Sequence, residues 1–314
     1  MVPTRATLIG GTGFIGTELA MRLAPRCAEL VLPTRRAARV REIRVLPNVR
    51  VVEADVHDPA ALASLVAGSD LVVNLVGLLN EGDAERSSFD GAHAGLTGKV
   101  IEACATAGVS RYLHVSALNA DPEGSSEYLR SKGRAEALVR AAPDSLGWTI
   151  FRPSIVFGAR DSFFNRFATL LSAVPFVFPL AVPDARMAPV WVGDVCRAMI
   201  DSIGDRQARG ATVSLCGPEE FTLRELVEYT ARVKGLERRV VGLPDKLARL
   251  QGRLMERVPG KPFSTDNYHS LQVPSVCPEG SPRQPTSIDA IVPRYLGDAN
   301  TMARLQEWRS EARR

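Results

Sequence analysis

At 314 residues the chain exceeds the roughly 100–200 of one ordinary domain, which predicts one large α/β domain or two lobes sharing a core. Hydrophobic residues make up 45% and charged residues 24%, a globular usage that excludes collagen, coiled coil and multi-span membrane protein. The 39 basic and 35 acidic residues leave a net charge of +4, too even a balance to make nucleic acid the expected partner. Cys27, Cys104, Cys196, Cys216 and Cys277 are far apart and form no Cys-x-x-Cys pair. Neither a disulfide framework nor a zinc site is expected, and a reducing, cytoplasmic setting fits. The first residues lack the regions of a signal peptide. The longest uncharged run, 167–183, is shorter than the ~20 residues of a spanning helix and holds Pro175, Pro179 and Pro183, so no transmembrane span is expected.

Short apolar runs alternate with helical stretches from the start. Strands are predicted at 6–11, 29–33, 49–55 and 71–77, the last buried on both faces because its apolar run shows no alternation. Asp58-Pro59 has the form of a helix start, and further helices are predicted at 14–23, 96–107 and 128–141. Strands at 111–116 and 148–157 complete a βαβ series, which requires right-handed crossovers and a parallel sheet covered on both faces. Beyond Gly158 the rhythm breaks: short strands at 187–192 and 212–216 flank a helix that Asp194 is expected to cap. Thr222-Leu-Arg-Glu225 is a capping box for a helix stopping at Gly235. Gly260–Pro285 reads as proline-rich loop, followed by helices near 287–296 and 301–314. The apolar stretch 163–182 reads as the core of a second lobe.

The strongest chemical signal is Gly10-Gly-Thr-Gly-Phe-Ile-Gly16, set between the first strand and the first helix. Gly10 allows the tight turn, Gly13 lets backbone approach a pyrophosphate, and Gly16 allows close helix–strand packing, with Thr12, Phe14 and Ile15 completing the loop. Unpaired N–H groups and the positive end of the helix dipole favour phosphate there. No carboxylate closes the second strand; Thr34-Arg35-Arg36 stands in its place. Guanidinium groups suit a 2′-phosphate, whereas a carboxylate would bind a free 2′-hydroxyl, so NADP(H) is preferred over NAD(H). Arg39, Arg41 and Arg44 read as a solvated basic face, and Arg309, Arg313 and Arg314 as a basic helix end.

The glycine spacing and its chain order resemble the short-chain dehydrogenase/reductase superfamily, in its extended or atypical branches. The resemblance implies a Rossmann-type doubly wound parallel sheet at 1–158 and a smaller C-terminal α/β lobe, interleaved with the sheet, at 159–314. It implies that Asp55 and Val56 contact adenine, that Leu75, Val76 and Gly77 lie under the cofactor ribose, and that Pro153 packs on the nicotinamide. Tyr128-Leu-Arg-Ser-Lys132 resembles the superfamily's Tyr-x-x-x-Lys pair, where positions i and i+4 share a helix face. Lys132 would hold the nicotinamide ribose and lower the Tyr128 pKa for proton transfer. The superfamily's catalytic hydroxyl after the fifth strand has no clear counterpart: Ala117 takes its position, with Ser116 beside it. Losing such a hydroxyl typically costs ~10²–10³ in rate. His93 stands where related chains often place asparagine.

A finer resemblance rests on segments 111–122, 128–132, 151–158 (Phe-Arg-Pro-Ser-Ile-Val-Phe-Gly), 163–167, 189–194 and 285–289. These are similar to the atypical short-chain dehydrogenases related to the nucleotide-binding accessory subunit of mitochondrial respiratory complex I. Bacterial homologues and a yeast member linked to coenzyme Q biosynthesis share the pattern. The resemblance implies a tightly held NADPH, a structural role with weak or no turnover, a quinone, isoprenoid or membrane-surface protein partner, and a peripheral place at the inner membrane surface. The rival expectation is an active NADP-dependent reductase or epimerase on a small carbonyl or sugar nucleotide, with Tyr128 as acid/base, Lys132 as its helper and Ser116 as substitute hydroxyl. His57, His114 and His269 read as core or surface residues, without metal-ligand spacing.

Overall fold

Short parallel strands alternate with helices in the computed structural model, which describes residues 3–40, 43–78, 80–81, 88–258 and 261–297. The helix expected at 301–314 with its arginines, Arg41 and Gly260 lie outside the described residues. In chain order the first half holds β1 (Arg5–Ile9), α1 (Phe14–Leu23), β2 (Glu29–Thr34), β3 (Val49–Glu53), α2 (Pro59–Val66), β4 (Leu71–Asn74), α3 (Leu96–Ala107), β5 (Arg111–Val115), α4 (Glu127–Arg140) and β6 (Gly147–Pro153). There follow β7 (Val156–Phe157), α5 (Phe164–Ala173), β8 (Val177–Leu180), β9 (Arg186–Met187), β10 (Val190–Trp191), α6 (Val192–Gly204) and β11 (Ala211–Leu215). β12 (Phe221–Thr222), α7 (Leu223–Val233), β13 (Arg239–Gly242), α8 (Asp245–Met255), α9 (Thr265–Ser270) and α10 (Ile288–Leu296) complete the described chain.

Seven strands form one sheet in the order β11-β6-β5-β4-β1-β2-β3, every pair parallel. This is a Rossmann-type α/β fold, and the order reverses between β1 and β4, the place where open sheets of this kind bind ligands. Local chemistry sets the boundaries. Asp58 caps α2 by accepting from the Ala60 N–H at 3.0 Å, with Pro59 at the first helical position. Ser126 caps α4 through the Leu129 N–H at 3.2 Å, and α3 ends at Gly108 with φ +69°. Every residue of β4 and β5 is buried, as strands covered on both faces require. One of them is charged: Arg111 donates to the Gly147 carbonyl at 2.5 Å, Thr149 Oγ1 at 2.6 Å and the Ser202 carbonyl at 2.7 Å, tying β5 to β6 and α6.

The chain divides into two compact units, Met1–Pro153 with Val192–Leu215, and Ser154–Trp191 with Cys216–Arg314. It passes between the units after residues 153, 191 and 215, so α6 and β11 belong with the sheet. The second unit has its own core, where Phe157, Phe164, Leu171, Phe178, Leu226, Val227 and Val292 pack together. The run 167–183 supplies most of α5 and all of β8 to this core, and no helix among the described residues is long and apolar enough to cross a membrane.

Three expectations need correction. Cys216 and Cys277 form a disulfide with a Cα–Cα distance of 5.9 Å, so only Cys27, Cys104 and Cys196 are free thiols. Residues 61 apart meet because the chain just past β11 pairs with the segment around Arg283, and cysteine spacing alone carries no sign of that. With one pair bridged, the cysteines no longer point to a reducing setting. Asp194 does not cap a helix: α6 begins two residues earlier, leaving Asp194 buried in the first turn and ion-paired to Arg197 at 3.0 Å. The strand expected at 71–77 stops at Asn74, whose Oδ1 accepts from the Val76 N–H at 3.1 Å and turns the chain out of the sheet.

Candidate functional site

The site grows from the sheet's reversal point. Gly10 follows β1 with φ +79°, and a Cβ there would lie 3.2 Å from the backbone of Leu75 and Val76, which follow β4. Glycine therefore lets the two central strand ends come together. A Cβ on Gly16 would lie 2.5 Å from the Gly10 carbonyl oxygen and 2.6 Å from Gly11 backbone, so α1 lies directly on the loop. Gly13 differs: a Cβ there would meet only the Gly10 carbonyl oxygen, at 3.2 Å, and otherwise project into open space. Gly13 itself is exposed, Thr12, Phe14 and Ile15 are half-buried, and Gly13 as the N-cap of α1 offers no side-chain cap. An open backbone face at an uncapped helix N-terminus fits a pyrophosphate.

Arg35 and Arg36 are exposed at the end of β2. Glu53 closes the neighbouring β3, and its Oε2 accepts from the Ala37 N–H at 3.1 Å. Asp55 follows β3 and turns the chain by accepting from the His57 N–H at 3.0 Å, while Val56 packs against the core formed by Ile9, Leu62 and Val66. Leu75 donates its N–H to the Ile9 carbonyl at 2.9 Å. Pro153 is buried at the end of β6, its carbonyl accepting from the Leu118 N–H at 3.1 Å.

α4 brings the proposed proton-transfer residues to this edge. Lys132 is buried, and its Nζ donates to the Val115 carbonyl at 3.1 Å and the Val76 carbonyl at 3.4 Å. The ammonium thus bridges the ends of β4 and β5, and a Cβ on Gly77 would stand 3.5 Å from it. Burial lowers the Lys132 pKa to about 8, with Glu136 acting in the opposite direction. Ser116, the next residue after β5, donates its N–H to the Phe151 carbonyl at 2.8 Å. Its buried Oγ has no hydrogen-bond partner among the described residues, which leaves a hydroxyl free for a bound group. Tyr128 is half-buried, its ring edge-on to Phe89 at 5.8 Å and His93 at 5.6 Å.

One network was not legible in advance. Gly91–Gly95 is a π-helical turn that packs against α4 and places His93 over it. His93 Nε2 accepts from the Leu78 N–H at 3.1 Å, so Nδ1 carries the proton and donates to Ser131 Oγ at 2.8 Å. Ser131 donates onward to the Tyr128 carbonyl at 2.9 Å. Burial, then the Lys132 charge, lowers the His93 pKa to about 2. His93 is therefore neutral, with both ring nitrogens committed. The signal in the sequence was Ser131, one turn from Tyr128, but its partner lies 38 residues away. At the other end of α4, buried Glu136 pairs with Arg152 at 2.6 Å and Arg140 at 2.7 Å and fixes the helix against β6.

The open Gly13 face, the bare helix N-terminus and the free Ser116 hydroxyl fit a nicotinamide dinucleotide laid across the strand ends. The NAD(P)H-binding family matches residues 10–160. A dTDP-glucose 4,6-dehydratase from Streptomyces venezuelae shares the fold with a TM-score of 0.68 and 21% identity, over 93% of this chain and 95% of that one. The fold and the family match together define a Rossmann-type protein with an NAD(P)H-binding domain. Subunit 9 of the mitochondrial NADH dehydrogenase [ubiquinone] 1 alpha subcomplex of Mus musculus is 31% identical over 288 residues, 88% of this chain and 74% of that protein. The chain belongs to the family of that subunit. A Caulobacter vibrioides protein named ceramide reductase is 29% identical over 257 residues, 79% of this chain and 76% of its own length.

Proposed function

We propose that the protein holds NADP(H) as a largely structural group, with weak or no turnover, in a role linked to ubiquinone biosynthesis or to a complex I-type assembly. The glycine loop Gly10–Gly16 would hold the pyrophosphate, Arg35 and Arg36 the 2′-phosphate, and Asp55 and Val56 the adenine. Leu75, Val76, Gly77 and Lys132 would hold the nicotinamide ribose, with Pro153 against the ring. When bound, the nicotinamide supplies hydride-transfer chemistry. Lys132 would orient the ribose hydroxyls and Tyr128 would hold the proton for a substrate oxygen. The observation that carries the weak-turnover reading is the end of β5, where Ser116 is the one hydroxyl and Ala117 follows it. The similarity to a subunit of the mitochondrial NADH dehydrogenase [ubiquinone] supports the quinone link.

The second reading, an active reductase or epimerase, draws on the buried Lys132 one turn from Tyr128 and on the Caulobacter relative's name. Tyr128→Phe separates the two: an enzyme loses at least tenfold in kcat with its nucleotide affinity intact, as general acid–base catalysis commonly contributes 10²–10⁴. Cofactor choice has its own test. Arg35→Glu is expected to weaken NADP(H) binding roughly tenfold or more, because a charge-assisted hydrogen bond is replaced by repulsion, while NAD(H) binding holds or improves. Titration of cofactor fluorescence against both nucleotides measures this, and equal weakening for both would remove Arg35 from the 2′-phosphate site.

A further inference from the structure

α8 turns its apolar side away from the protein. Ala248 and Gly252, one turn apart, are its buried residues, and a Cβ on Gly252 would lie 3.3 Å from the backbone of Ser264 and Thr265 at the start of α9. Ala248 packs with Ala181 and Tyr268. The helix is thus seated on its unit through small residues. On its outer side Leu247, Leu250 and Leu254 are 49%, 49% and 54% exposed, and Val258 beyond the helix end is 47% exposed. Spacings of three and four place these leucines in one row. The adjacent row is basic: Lys246, Arg249, Arg253 and Arg257, all exposed.

The acids at the two ends of this helix, Asp245 and Glu256, are engaged. Asp245 pairs with Arg249 at 3.0 Å and accepts from the Tyr268 hydroxyl, and Glu256 accepts from the Thr265 N–H at 2.6 Å. Arg249 is engaged by the same pair, donating also to Tyr268 Oη at 3.2 Å. Lys246, Arg253 and Arg257 are left as a positive edge beside an apolar row. In the same unit the exposed faces of β8 and β13 add Val177 and Val241, and Gln251 joins α8 to β8 by donating to the Pro179 carbonyl at 3.4 Å.

We infer that α8 is a membrane-surface docking helix, which lays Leu247, Leu250 and Leu254 into the headgroup boundary of a bilayer while Lys246, Arg253 and Arg257 face anionic phospholipid headgroups. An apolar row beside a cationic row is the pattern that binds such surfaces. A second copy of this chain fits less well, because pairing leucine row to leucine row would bring two positive edges together in low dielectric. The inference rests on α8 and not on the dinucleotide reading.

Flotation of the purified full chain with vesicles of phosphatidylcholine, alone or mixed with phosphatidylglycerol, tests it. Binding is expected to the anionic vesicles and to fall as salt rises. Arg253→Gln with Arg257→Gln is expected to weaken it roughly thirtyfold, about fivefold for each charge at the surface. Leu250→Gln with Leu254→Gln is expected to weaken it by about tenfold or more per residue. Both pairs are exposed, and an unchanged melting temperature verifies the fold. Failure of the folded wild type to float with anionic vesicles overturns the inference, as do equal binding to neutral vesicles and indifference to both variant pairs. A dimer that the leucine pair dissolves, with no vesicle binding, assigns the face to a second copy instead. Nucleotide content measured on the same samples separates failure here from failure of the cofactor reading.

Discussion

Gly16→Ala is expected to destabilise the protein by about 3 kcal/mol and to abolish dinucleotide retention, whereas Gly13→Val spares the fold and abolishes retention alone. The contrast follows from what each new Cβ meets. At position 16 it would stand 2.5 Å from the Gly10 carbonyl oxygen and 2.6 Å from Gly11 backbone, and backbone cannot swing aside as a flexible side chain can. Relief requires α1 to lift off the loop, an overpacking strain at the upper end of the usual range. At position 13, among the described residues, the new Cβ would meet the Gly10 carbonyl oxygen alone, at 3.2 Å. A valine there tightens one backbone contact and makes a poorer N-cap, which costs the apoprotein about 1 kcal/mol, and it fills the space a pyrophosphate would use. Chemical denaturation and mass spectrometry of bound nucleotide, run on both variants, check the pair. Gly13→Val protein that still carries nucleotide would place the phosphates elsewhere.

Acid is expected to loosen the protein through two histidines. Burial, with the Lys132 charge adding to it, lowers the pKa of His93 from 6.5 to about 2 and that of His114 to about 3. Each stays neutral in the folded protein while the unfolded chain takes up a proton below pH 6.5, so their contribution is present above that pH and is lost as pH falls. At pH 5 each accounts for about 2 kcal/mol of lost stability. Urea midpoints between pH 7.5 and 5 should therefore fall steeply in the wild type, and the slope should shrink by about half in His93→Gln, whatever that variant's absolute stability. A slope unchanged in His93→Gln would mean that His93 titrates normally in the folded state.

The alternation of strands and helices was legible because each βα unit carries its own punctuation: Gly10 after β1, Asp58-Pro59 before α2, and the Thr222–Glu225 capping box, which forms with both reciprocal bonds. These are local signals. The glycine loop was legible for the same reason, since its chemistry lies within seven consecutive residues. What stayed hidden depends on long-range proximity. His93 meets Ser131 across 38 residues and Cys216 meets Cys277 across 61, and neither pair has a spacing that announces it. α8 and α9 lay inside or beside a stretch read as loop. In α8 the hydrophobic period points outward and the seat is made by Ala248 and Gly252, so periodicity indicates the face turned to solvent rather than the buried one.

The proposed dinucleotide lies across the ends of β1, β4 and β5, where Ala117 takes the position expected of a catalytic hydroxyl. Its most direct test is mass spectrometry of the nucleotide that copurifies with the protein, followed by fluorescence of any bound NADPH on addition of short-chain quinones and simple carbonyls. NADP(H) retained through purification and left unoxidised by these acceptors is the predicted result. An exchangeable nucleotide that turns over with an acceptor, and ceases to in Tyr128→Phe, would contradict it in favour of an enzyme, and protein that binds neither NADP(H) nor NAD(H) would contradict it altogether.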